Sequence, residues 1–214
     1  PAELTPLTTL LLAATLEEAG LPAGVVNVIT TNTSAATSAP IIADPRLRKI
    51  TFTGSTSVGV RLLEQSAKQV LRTSMELGGN APFLVFEDAD LDAAVTGAML
   101  AKLRNIGQAC TAANRFIVHE SIADEFANKM AEQMSAMPLG RGVDPETKIG
   151  PVINDKAREN LQRLVDATVS EGGAILTGGK SVDRDGYFFE PTVLVDVKPG
   201  STILQEEIFG PVAP

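Results

Sequence analysis

The sequence predicts an α/β fold in two lobes, and three observations carry that expectation. Short apolar stretches such as KITFTG, APFLVF and RFIVH alternate with longer stretches of helical periodicity, the pattern of βαβ units around a parallel sheet. The pair Gly78 and Gly79 breaks this alternation and marks a hinge between the lobes. A chain of 214 residues, 44% apolar and 21% charged, is long enough for one large domain or two smaller ones with a buried core.

The elements follow in order. Thr5 is placed to cap a first helix with Pro6 in its first turn, where a missing N–H costs nothing. That helix carries LTTLLLAATLEEA and stops at Gly20. GVVNVI, residues 24–29, reads as a buried strand, SAATSAPIIA as a helix and KITFTG as the next strand. A helix over about residues 57–70 leads to the short strand TSMEL. Beyond the double glycine, APFLVF is a strand, and DLDAAVTGAMLAKLR is a helix with its apolar face at Leu91, Val95, Ala98, Met99 and Leu103. RFIVH is a strand, and Ser121 is placed to cap a helix carrying Ile122, Phe126, Met130 and Met134. Asn154 or Asp155 caps a later helix that ends at Gly172 and Gly173. AILTGG then reads as a strand, and Val193, Val195 and Val197 alternate as one more. No internal repeat and no low-complexity linker interrupts the series.

Composition narrows the function. Eighteen Lys and Arg against twenty-six Asp and Glu leave a net charge of −8, which argues against a nucleic-acid partner. No apolar run approaches the ~20 residues that span a bilayer, and no signal-peptide pattern opens the chain. One cysteine cannot form an internal disulfide, so a reducing cytoplasm is expected; one Cys and one His argue against a metal cage. The chain opens on Pro1 rather than Met and closes on EEIFGPVAP, and it reads as a piece of a larger protein.

Two stretches carry chemistry. KITFTGSTSVG puts a glycine at the carboxyl end of a strand, then hydroxyls, then a helix. Open α/β sheets bind ligands there, and a helix N-terminus offers free N–H groups to a phosphate. Gly54 allows the tight turn, and Ser55 can donate to a phosphate oxygen. The spacing G-x-x-x-x-G is neither the dinucleotide pattern nor a P-loop, so a helix cap without a ligand reads equally well.

The second stretch is RNIGQACTAANRF, which holds the sole cysteine, Cys110. By residue type, a lone cysteine is more often a small buried hydrophobe than a nucleophile. Its place after a helix ending near Arg104 and a flexible NIGQ turn favours display at a chain reversal. A free thiol titrates at about 8.5 and needs help to become a thiolate. His119 reads as a strand-end surface residue. Glu76, in SMELGGN, ends a strand at the junction of the lobes, where a carboxylate can take a proton from water or thiol. Spacing alone leaves open that it is an exposed strand-end charge.

FTGSTSVG, MELGGN, NIGQAC and EEIFGPV occur in that order, with Glu76 and Cys110 34 residues apart. Together they resemble the coenzyme loop, general-base motif, nucleophile motif and nicotinamide-ribose motif of the aldehyde dehydrogenase superfamily. The similarity runs the whole length of the chain. MELGGNAPFLVFEDADLDAAV and RNIGQACTAANRF look closest to the succinate-semialdehyde dehydrogenases.

The resemblance implies part of a Rossmann-like coenzyme domain over residues 1–77, then most of the α/β catalytic domain over 78–214. It implies Cys110 as the nucleophile that forms a thiohemiacetal and then a thioester, with its own backbone N–H as one oxyanion donor. It implies Glu76 as the base that activates the hydrolytic water. Gly54 and Ser55 would meet the pyrophosphate, Glu3 the adenosine ribose, and Glu207 the nicotinamide ribose, with Leu77 and Phe209 nearby. Arg104 matches the arginine that binds the distal carboxylate of the substrate.

The implied reaction is NAD- or NADP-dependent oxidation of succinate semialdehyde to succinate, by a homodimer or homotetramer without metal. Glu3 favours NAD, because a carboxylate repels a 2′-phosphate. The alternatives are another ω-carboxy aldehyde such as glutarate semialdehyde, a thiol-dependent hydrolase, or, for these 214 residues alone, a catalytically inactive structural or binding module. The family's lysine before PAELTP, its upstream oxyanion-hole asparagine and its closing C-terminal segment have no counterpart in these residues. Ala112 stands where some succinate-semialdehyde dehydrogenases carry the second cysteine of a redox switch, so no such switch is expected.

Overall fold

In the computed structural model, which describes residues 1–214, Pro6 already has helical dihedrals, and its carbonyl accepts from Leu10 N–H at 3.1 Å. Helix α1 (Leu7–Glu18) follows. Thr5 does not cap it, contrary to expectation: the Thr5 backbone N–H instead closes a turn on the Ala2 carbonyl at 3.2 Å, and no side chain caps the helix. Gly20 ends it as expected. At φ +89° its N–H reaches the Glu17 carbonyl (2.9 Å), while Leu21 N–H reaches that of Leu16 (3.0 Å).

The predicted strand over residues 24–29 does not form. The segment runs as turn and irregular chain, with Val25, Val26 and Ile29 exposed. A strand exists only through a ladder partner, and the one ladder among residues 1–76 joins two other segments. These are β1 (Lys49–Gly54) and β2 (Arg72–Leu77). Around them lie α2 (Ser34–Ala43), over the segment the sequence predicts, and α3 (Thr56–Ala67). Helix α3 stops short of residue 70 because Val70 takes φ +52° and turns the chain into β2.

The chain divides into two compact units, Pro1–Glu76 and Leu77–Pro214. The second contains β3 (Ala81–Val85), α4 (Leu91–Leu103), a 3-10 turn (Arg104–Gly107), β4 (Ala113–Val118), α5 (Ala123–Ser135), α6 (Asp155–Ser170), β5 (Ala174–Thr177), β6 (Thr192–Val195), a second 3-10 turn (Thr202–Leu204) and β7 (Val212–Ala213). The Asp90 side chain caps α4 by accepting from Ala93 N–H at 3.0 Å. Asn154, not Asp155, caps α6, accepting from Ala157 N–H at 2.9 Å. Ser121 does not cap α5, since its hydroxyl is held by His119 Nδ1 at 2.9 Å.

In place of one parallel sheet, the second unit has a two-stranded sheet, β3-β4, and a three-stranded mixed sheet, β5-β6-β7. β3 pairs parallel with β4, and β6 with β7, but β5 pairs antiparallel with β6. No helix lies between β5 and β6 to carry the crossover that a parallel pair needs. One hydrogen bond, Phe116 N–H to the Pro214 carbonyl at 3.0 Å, links β4 to the residue after β7. Val197 lies beyond β6, because Asp196 at φ +57° ends the strand.

The core of this unit is built from Val95 and Ala98 of α4, Phe126, Met130 and Met134 of α5, and Leu161, Leu164 and Val165 of α6. The apolar spacings of α4 and α5 predict that inward face. No helix is long and apolar enough to cross a membrane.

Candidate active site

The turn after α4 runs through three successive residues in the left-handed region: Asn105 (φ 54°), Ile106 (φ 51°) and Gly107 (φ 79°). Glycine tolerates this freely and asparagine readily, but β-branched Ile106 is strained by about 1–2 kcal/mol. Several contacts hold the conformation. Ile106 is buried in the core. Asn105 Nδ2 donates to the Gln108 carbonyl (2.8 Å), and Gln108 N–H returns a bond to the Asn105 carbonyl (3.0 Å). Gln108 Oε1 accepts from Ile153 N–H at 2.9 Å. Any Cβ on Gly107 would overlap the Gly210 carbonyl, so the loop lies directly on the FGP backbone.

The chain then reverses through Ala109, Cys110 and Thr111, with Ala112 N–H bonded to the Ala109 carbonyl at 3.0 Å. Cys110 is exposed on this reversal, and its backbone N–H donates to nothing in the chain. Arg104, exposed and without an ion-pair partner, lines a depression with Leu100, Ala101, Ala109, Thr111 and Ala112. An unpaired guanidinium thus shares a depression with the residues flanking the thiol.

A second cluster forms where the GGN turn meets residues 203–207. Asn80 Nδ2 donates to the Leu204 carbonyl at 2.7 Å, and Arg115 Nε donates to the Asn80 carbonyl at 3.0 Å. The Glu207 carboxylate lies over Gly78, where a Cβ would collide with it. Glu207 Oε1 and Asn80 Oδ1 are both buried with no donor. Buried acceptors left unpaired are costly and call for hydroxyl or N–H donors. Phe209, at φ +51° and 42% exposed, follows on the same segment, and Arg163 of α6 pairs with Glu206.

In the first unit, Gly54 ends β1 and Ser55 precedes α3. The Ser55 carbonyl accepts from Val58 (3.1 Å) and Gly59 (3.0 Å), its hydroxyl lies 3.3 Å from Ser57 Oγ, and no side chain caps the helix. The N–H groups of Thr56 and Ser57, which bond to nothing in the chain, are left open to an anion. Glycine at position 54 also answers a packing need, since a Cβ there would enter the Phe52 ring. Glu76, within β2, and Glu3, in an N-terminal turn, are exposed and bond to no other side chain; Leu77 is half-buried.

Sequence reasoning passed over Asn80, Gly107, Gln108, Lys102 and Asn114. The first three lie inside the motifs MELGGN and NIGQAC. Lys102 carried a signal of its own: seven residues after Val95 and four after Ala98, it falls on the buried face of α4.

The model of the Aldehyde dehydrogenase family matches residues 1–214. The chain is 59% identical, over its full length, to a succinate-semialdehyde dehydrogenase of Paenarthrobacter nicotinovorans, of which it covers 48%. It is 44% identical to a glutarate-semialdehyde dehydrogenase of Pseudomonas putida, covering all of this chain and 44% of the relative. A crystal structure of an NADP-dependent enzyme of E. coli superposes with a TM-score of 0.96 at 45% identity, covering 100% of this chain and 44% of that one. The chain thus spans about half the length of the curated relatives it matches.

Proposed function

Because the chain belongs to the aldehyde dehydrogenase family, we propose that it is the thiol-bearing part of an NAD(P)-dependent enzyme that oxidises succinate semialdehyde to succinate. The observation that carries this reading is the sole thiol, exposed on a turn with a free N–H beside it and an unpaired arginine in the adjoining depression. Residues 1–77 would serve the coenzyme and residues 78–214 the substrate.

In this reading Cys110 Sγ adds to the aldehyde carbon, and the oxygen that gains negative charge accepts from the Cys110 N–H. NAD⁺ or NADP⁺, when bound, would supply the hydride acceptor, leaving the acyl group on Cys110 Sγ as a thioester. Glu76 then takes a proton from water as the water oxygen attacks the thioester carbonyl. The thiolate leaves and the carboxylic acid is released. Arg104 holds the distal carboxylate and positions the aldehyde at Sγ.

The residues present suit such a coenzyme. Glu207 Oε1, buried and without a donor, fits a ribose hydroxyl. The open N-terminus of α3 beside Gly54 and Ser55 fits a phosphate. Glu3, Leu77 and Phe209 complete the set the motifs imply. Location in the cytoplasm and assembly as a homodimer or homotetramer belong to the same proposal.

A second reading, oxidation of glutarate semialdehyde, is favoured by the similarity to an enzyme named for that substrate. Steady-state kcat/KM of the full-length enzyme for succinate semialdehyde, glutarate semialdehyde and butanal decides between them. Preference for the five-carbon acid would replace the assignment, and preference for butanal would remove the role of Arg104.

A further inference from the structure

Lys102 is among the largest fully buried side chains of the protein, at 0% exposure, and the reaction described above makes no use of it. Its Nζ donates to Asn114 Oδ1 at 2.8 Å, and Asn114, itself 1% exposed, donates from Nδ2 to the Gly79 carbonyl at 3.4 Å. Lys102 lies in the last turn of α4 and Asn114 in the first residues of β4. Between them runs the whole loop that carries Cys110, including its three left-handed residues. The bond therefore closes that loop at its base, out of contact with solvent.

We propose that Lys102 is a positioning residue for the nucleophile: bonded to Asn114, its amine holds the two stems of the Cys110 loop together and joins them to the glycine turn on which Glu207 rests. The inference rests on the reading of Cys110 as the nucleophile. A strained loop relaxes unless its surroundings over-determine it. Asn105, Gln108 and Gly107 restrain the loop along its length. Only the Lys102–Asn114 bond spans its two ends with side chains.

The amine is not there as half of an ion pair. The charged groups on the elements packed against α4 are engaged elsewhere or exposed: Lys129 of α5 with Asp92 and Glu125, Arg115 of β4 with the Asn80 carbonyl, and Arg104 toward solvent. Burial without a carboxylate pushes Lys102 down to about 7, so much of it is the neutral amine at neutral pH, for which one amide acceptor suffices.

The test uses the full-length enzyme and the rate at which iodoacetamide alkylates Cys110, read by peptide mass spectrometry without coenzyme or substrate. Lys102→Met should slow alkylation and lower kcat by about tenfold or more, the scale of a small misplacement of a reacting group, while KM for the coenzyme stays within about twofold. Asn114→Leu should match that loss, and the double variant should lose no more than either single one. Asn114→Asp keeps an acceptor for the amine and should hold the parent alkylation rate within about threefold. Lys102→Met with parent-like alkylation and kcat, or single losses that multiply in the double variant, overturns the proposal. Should Lys102→Met not fold, equal alkylation of Asn114→Asp and Asn114→Leu overturns it equally. Full activity in Cys110→Ala would sink the nucleophile reading instead, a result distinct from any of these.

Discussion

At the scale of single residues, Arg104 and Glu76 make the sharpest predictions. A guanidinium can grip a carboxylate through two charge-assisted bonds, and Arg104 has no competing acid in the chain. Arg104→Ala in the full-length enzyme should cost about 2–5 kcal/mol in kcat/KM for succinate semialdehyde, the range for breaking a charge pair withdrawn from water. Butanal lacks the carboxylate and should lose far less. Equal losses for both substrates would make Arg104 structural. Glu76 is exposed in β2 and forms no ion pair. If it activates the hydrolytic water, Glu76→Gln should still form the thioester but release it slowly. Rapid-mixing absorbance would then show a stoichiometric burst of reduced coenzyme followed by slow turnover. A parent-like steady state would remove the general-base role.

At the scale of elements, glycines keep two spaces open, one in the loop between α4 and β4 and one in the GGN turn. Gly107 is at φ +79°, and a Cβ there would overlap the Gly210 carbonyl. Gly107→Ala must therefore bend the loop or push the FGP segment away. It should destabilise the protein by about 2 kcal/mol or more and lower kcat, read by urea unfolding and steady-state kinetics. Gly78 has no such dihedral demand, but its missing Cβ is the space taken by the Glu207 carboxylate. Gly78→Ala should move that carboxylate and raise KM for the coenzyme, with little effect on alkylation of Cys110. An unchanged coenzyme KM would show that Glu207 does not need this seat.

At the scale of the molecule, a buried lysine links stability to pH. Burial lowers Lys102 from its ordinary 10.5 to about 7, so between those values the unfolded chain holds a proton that the folded one does not. Its contribution therefore makes stability rise from pH 7 to 10.5, with the full penalty present below 7. At about 1.4 kcal/mol per pH unit the span is at most about 5 kcal/mol. Urea unfolding at pH 7, 8.5 and 10 should show a steeper rise for the parent than for Lys102→Met. Parallel curves would mean that the amine does not titrate in this range.

The sequence by itself determined the α/β class, most of the helices and the motifs, because helical periodicity, glycine punctuation and a capping residue such as Asn154 act over a few neighbours. It also marked Cys110 as a thiol on a reversal, since NIGQ has turn chemistry whatever surrounds it. Only the tertiary structure decided the rest. Residues 24–29 have a strand's composition and no strand, because a ladder needs a partner that local pattern does not supply. The antiparallel pairing of β5 and β6 followed from the path of the chain between them. The spacing of Lys102 from Val95 and Ala98 puts it on the inner face of α4, but its partner came only from the fold: Asn114, twelve residues on, lies opposite it across the base of the loop. Contacts between residues distant in sequence depend on packing, and no local periodicity records them.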